Sequence, residues 1–163
     1  MTEETEMAIA TFYRGDPNAP KPNMKTHLGC NAIITCKGRL LLEKRRDSDV
    51  WGLVGGGCKP HETEVQTIAR EVREELGLRI EPSRFVRLRS YGEPGRMGRI
   101  AAFRDGSVWR MVIVMFGLEL EEEPEMIISP ESKELRFFSK EELKDLQIAV
   151  THSDIVEELF LNR

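Results

Sequence analysis

The chain has 163 residues, 40% hydrophobic and 32% charged, and its 24 Lys and Arg against 28 Asp and Glu leave a net charge of −4. That length suits one domain with a sizeable core, and the acidic balance argues against an intact nucleic-acid polymer as partner, which demands a basic face. The longest apolar run, Met111 to Leu118, is far too short to span a bilayer.

Residues 1–26 read as an arm ahead of a domain at 27–163. Met7 to Tyr13 allows a short helix or strand, and Gly15 to Asn23 is too proline-rich for either, so an extended path is expected. His27 to Cys36 predicts a strand, Lys37-Gly38 a tight turn and Arg39 to Glu43 its hairpin partner. Cys30 and Cys36 share strand parity and are expected to pack in the core. With Cys58 they leave an odd thiol and no zinc spacing; together with the lack of a signal-type leader this predicts a reducing, cytoplasmic setting. Lys44, Arg45 and Arg46 then lead into Gly55-Gly56-Gly57, where they suit either a solvated strand end or contact with phosphate.

Thr63 and Gln66 have the spacing of a capping box, and Gly77 stands where a left-handed cap would end the helix. Val65, Ile68, Ala69, Val72 and Leu76 fall on one stripe that must face a core. Glu71, Glu74 and Glu75 fall on another arc, with Glu64 near the same side. Like charges so spaced repel by about 0.2–0.5 kcal/mol per pair. A hard divalent cation would turn that cost into a site; without one, the glutamates make a solvated face.

Beyond the helix, Ser83 to Tyr91 alternates as a half-buried strand, and Asp105-Gly106 turns a hairpin that begins at Arg99. Met111 to Phe116, apolar on both faces, is expected to be central in the sheet. Acidic residues 119–125 read as a solvated loop and Glu134 to Phe138 as a short strand. Ser139 and Glu142 form a second capping box, opening a helix to about Leu146. A last amphipathic helix is expected from Ser153 to Leu161. Mixed strands around two or three helices predict an α/β/α sandwich.

The full spacing is Gly56, five residues, Glu62, seven residues, Arg70-Glu71-Val72, one residue, Glu74-Glu75, one residue, Gly77-Leu78. It resembles the Nudix box of the Nudix hydrolases at all nine defining positions. The resemblance implies the Nudix-type sandwich with a mixed sheet. It also implies a magnesium- or manganese-dependent hydrolase of a nucleoside diphosphate linked to another moiety. By the same resemblance Glu71, Glu74, Glu75 and the Gly55 carbonyl hold metal, and Arg70 steadies the glutamates. Either a box glutamate (Glu71 or Glu74) or Glu131, in the loop before the Leu135 strand, serves as base. Arg45, Arg46, Gly56 and Gly57 are the expected substrate contacts. The chain departs from the family's usual pattern at Val54, where proline is common, and at His61, where glycine is common. Pro94, sixteen residues past Leu78, resembles a placement in ADP-ribose pyrophosphatases; nucleoside triphosphates are the competing substrate class. A non-catalytic nucleotide-binding regulatory domain is the alternative reading, which the clustered glutamates disfavour. An isomerase of the isopentenyl type would want a histidine-rich metal site, and the histidines here are scattered. The arm and the 99–109 hairpin suggest a homodimer.

Overall fold

Alternation along one strand sets the two faces of the sheet. The computed structural model describes residues 10–46, 48–93 and 98–163. Its strands are β1 (Ala10–Arg14), β2 (His27–Cys36), β3 (Arg39–Arg45), β4 (Trp51–Gly52), β5 (Val54–Gly57), β6 (Val86–Tyr91), β7 (Arg99–Phe103), β8 (Val108–Leu120) and β9 (Ser132–Phe138). Its α-helices are α1 (Glu64–Leu76), α2 (Lys140–Leu143) and α3 (Val150–Val156), the last running on into a π-type turn at Glu157–Leu161. On β2, Cys30, Ala32, Ile34 and Cys36 point to one side, where they meet Ile68, Val72 and Leu76 of α1. Ile33 points to the other, where it joins Trp51, Leu53, Phe138, Ile155 and Leu159. Two apolar layers on one sheet make the expected sandwich.

The strand order is β1-β7-β8-β2-β3-β4, with β5 also on β2, β6 on β8 and β9 on β3. β2 and β8 run parallel over ten pairs, from His27–Met111 to Cys36–Leu120. β8 is therefore central, as its two apolar faces require. It continues to Leu120, so the acidic loop begins later than its composition suggests: Glu119 and Leu120 pair with Thr35 and Cys36. Lys37 and Gly38 turn the β2–β3 hairpin with φ of 51° and 77°, the two left-handed residues that a type I′ turn needs.

α1 is bounded as its sequence dictates. Thr63 and Gln66 exchange both capping bonds, and Gly77 closes the helix at φ 71°, donating its N–H to the Arg73 carbonyl. α2 also has its capping box, between Ser139 and Glu142, but it stops at Leu143 rather than near Leu146. The following segment is drawn out to bond Trp51, whose N–H donates to Gln147 O while Ala149 N donates to Trp51 O. α3 accordingly starts at Val150, before the expected Ser153, with His152 and Ser153 donating to the Ala149 carbonyl.

Ahead of β2, β1 adds to the free edge of β7, from Ala10–Phe103 to Arg14–Arg99. Asn23 and Met24 donate to Val108 O, and Val108 N donates back to Asn23 Oδ1. Among the described residues no helix is long and apolar enough to cross a membrane.

Candidate active site

The site forms where β5 hands the chain to α1. Gly55 pairs with Asn31 of β2 at φ 151°, and a Cβ there would stand 2.1 Å from the Cys30 carbonyl oxygen. That closeness requires glycine. At Gly56 an added Cβ would meet the Glu71 carboxylate at 2.5 Å, so the acid lies directly on the glycine loop. Glu75, one turn on, reaches the same loop: its Oε2 accepts the Gly55 N–H at 3.0 Å.

Arg70 organises the outer side. Its Nε and Nη2 grip both oxygens of Glu62 at 2.7 and 2.9 Å, and Nη2 also donates to Gly57 O at 2.9 Å. Nη1 donates to Glu71 at 2.8 Å and Glu74 at 3.1 Å. The bidentate grip holds the Glu62 carboxyl well below its ordinary range, at about 2, and raises Arg70. His61, just before Glu62, adopts φ 66°. The left-handed backbone explains why glycine is common there; histidine is among the residues that enter this region more readily than most.

The three helix glutamates differ in setting. The Glu74 side chain is half exposed. Glu71 is largely covered, and burial raises its pKa against the opposing pull of Arg70. Glu75, expected on an exposed arc, is only 7% exposed. The arc of a helix does not tell how close a sheet edge comes, and here β5 closes over the last turn. Burial, then the neighbouring charges of Glu43 and Glu71, push Glu75 up to about 9.

Glu43 carried no signal beyond ending a predicted hairpin strand. It is 3% exposed, its Oε2 accepts from Ser132 Oγ at 3.1 Å, and burial raises its pKa. Strand parity was the available clue: Leu41 joins the layer beneath α1 while Leu40 and Leu42 join the opposite one, so Glu43 and Arg45 share Leu41's side.

Glu131 is exposed in the loop before β9, and its carbonyl accepts the Arg46 N–H at 3.0 Å. Its charge acts on both Glu71 and Glu43. Arg45 and Arg46 are exposed at the end of β3, and the Arg45 charge acts on Glu43 and Glu75. Glu71, Glu75 and Arg70 thus touch the glycine loop directly, Arg46 reaches only the Glu131 backbone among the described residues, and Pro94 lies outside them. His27 joins them unforeseen, its imidazole 3.0 Å from where a Gly57 Cβ would be. A concavity of about 760 Å³ is lined elsewhere, by residues such as Ile33, Leu88 and Phe160.

Among the described residues no three His, Cys, Asp or Glu side chains converge closely enough to enclose an ion as they stand. The donor set nonetheless suits a hard divalent cation: acidic oxygens beside a glycine loop, with one oxygen each of Glu71 and Glu74 held by Arg70.

The NUDIX domain family model matches residues 25–159. A MutT-like protein of Streptomyces ambofaciens is 36% identical over 71 residues, 43% of this chain and 46% of that protein, so the match spans under half of that relative. An uncharacterised Nudix hydrolase of Listeria innocua is 28% identical over all of this chain and 89% of its own length. Among solved structures, the NUDIX domain of Shewanella oneidensis NrtR, complexed with ADP ribose, superposes with a TM-score of 0.66 over 99% of both chains at 20% identity. At that identity the likeness speaks for the fold.

Proposed function

The chain belongs to the Nudix family, and from that premise we propose that it hydrolyses the phosphoric anhydride of a nucleoside diphosphate linked to another group, with magnesium or manganese. Nudix hydrolases generally use a divalent metal. One observation carries the reading: the Glu71 and Glu75 carboxylates both lie on the Gly55-Gly56 loop, on the side that Arg45 and Glu131 also reach.

In this reading Glu71, Glu74 and Glu75, with the Gly55 carbonyl, hold the ion, which when bound neutralises charge on the phosphoryl oxygens. Arg45 and Arg46 draw the diphosphate toward the glycine loop, and the small Gly56 and Gly57 let it approach. Arg70 touches no substrate; its bonds to Glu62, Glu71, Glu74 and Gly57 O fix the glutamates in place. We assign Glu131 as the base that orients the attacking water and takes its proton. It is exposed and its charge acts on Glu71, whereas Glu74 is held by Arg70 and Glu75 is buried.

A screen of ADP-ribose, nucleotide sugars, dinucleoside polyphosphates and nucleoside triphosphates with magnesium, read by mass spectrometry, tests the proposal. Release of a nucleoside monophosphate from at least one class is expected. Tight binding of those compounds with no cleavage would replace it with a nucleotide-binding regulatory role. ADP-ribose is the first compound to try, because the NrtR domain of the same fold is complexed with it.

A further inference from the structure

We propose that Glu43, on β3 and outside the spacing motif, is a further carboxylate of the divalent-cation site, gripping the ion from the sheet while Glu71 and Glu75 grip it from the helix. The inference rests on the metal-dependent reading above.

Glu43 is 3% exposed and Glu75 7%; the Glu43 charge acts on Glu75, and the Glu71 charge acts on both. Strand parity turns Glu43 to the α1 side of the sheet, as it does Leu41. Its flanking positions are Gly52 on β4 and Leu135 on β9, neither of which brings a countercharge. Arg70 is occupied with Glu62, Glu71 and Glu74, and Arg45, exposed at the end of β3, is the countercharge that acts on both Glu43 and Glu75.

Two buried carboxylates that share one exposed cation remain costly. Were Glu43 merely structural, glutamine would fill its place at lower cost, since Ser132 Oγ needs only an oxygen acceptor. A charged residue there is explained by a ligand that repays the burial. A divalent cation with several oxygen donors does so. Ser132 holds one Glu43 oxygen in place, as groups behind metal ligands commonly do.

The test compares manganese binding, read by loss of the free-ion electron paramagnetic resonance signal, in the unmodified chain and in Glu43→Gln, with thermal melts in EDTA alongside. Glu43→Gln is expected to bind manganese at least about tenfold more weakly. It is also expected to melt higher than the unmodified chain in EDTA and to lose most of the rise in Tm that manganese gives. A merely structural residue would not produce that pairing. Manganese binding within about twofold of the unmodified chain would overturn the inference while leaving the metal-dependent reading intact. Absence of binding by the unmodified chain itself would overturn both. Should Glu43→Gln fail to fold, Ser132→Ala decides in its place: several-fold weaker binding supports the assignment, and unchanged binding contradicts it.

Discussion

Glu75 Oε2 accepts the Gly55 N–H at 3.0 Å, tying the last turn of α1 to the glycine loop. Through this bond the helix places its acids against backbone rather than in open solvent. The loop has little freedom to adjust, because Gly55 is itself pressed on β2.

Neighbouring glycines are therefore expected to respond differently to alanine. At Gly55 the new Cβ meets backbone, the Cys30 oxygen at 2.1 Å and the Asn31 Cα at 2.6 Å. Gly55→Ala should lose more than about 3 kcal/mol of unfolding free energy. At Gly56 the Cβ meets the movable end of Glu71 at 2.5 Å. Gly56→Ala should keep its stability within about 1 kcal/mol while turnover falls at least about tenfold. Urea unfolding and initial rates separate the two; equal stability losses would contradict the assignment.

Arg70→Lys tests the clamp. Lysine carries a charge but not the planar fork that meets both Glu62 oxygens at once. The variant is expected to lose about 2 kcal/mol in urea unfolding, with turnover reduced because Glu71 and Glu74 lose a shared anchor. A loss under about 0.5 kcal/mol, the range of an ordinary surface change, would show that the network is ornamental.

How much of this the sequence disclosed depends on the range of the interaction. α1 was legible from Thr63, Gln66 and Gly77 because capping is local, and its apolar stripe was legible because Ile68, Val72 and Leu76 repeat at the helical period. The β2–β8 parallel pairing joins residues more than eighty positions apart, and no local pattern specifies a partner. Glu43 was missed for that reason: alternation gives its parity but not which helix lies over that face. The early end of α2 has the same origin, since Trp51 captures the backbone around Ile148. The inward lean of Glu75 depends likewise on β5 and cannot be read from helical spacing.

His152 gives a pH test away from the metal-binding acids. Its Nδ1 accepts the Leu53 N–H at 3.0 Å, supporting the strand that leads into Gly55. Burial, and then the Arg99 charge, lower its pKa to about 4. A depressed folded pKa means that the contribution is complete above the ordinary value of 6.5 and is lost as pH falls toward 4. The loss over that window amounts to about 3 kcal/mol. His152→Asn offers an uncharged acceptor near the same place and should flatten this part of the profile. Identical pH slopes of the urea midpoint in the two proteins, between pH 6.5 and 4, would contradict the role given to His152.

The most direct measurement is nucleoside monophosphate release from ADP-ribose and the other candidate substrates by the unmodified chain and by Glu75→Gln, each with magnesium, with EDTA, and with magnesium restored. The unmodified chain is expected to turn over only when the ion is present and to recover when it is returned. Glu75→Gln, still folded by circular dichroism, should be slower by about 100-fold or more. Turnover that persists in EDTA, or a Glu75→Gln rate equal to that of the unmodified chain, would contradict the account.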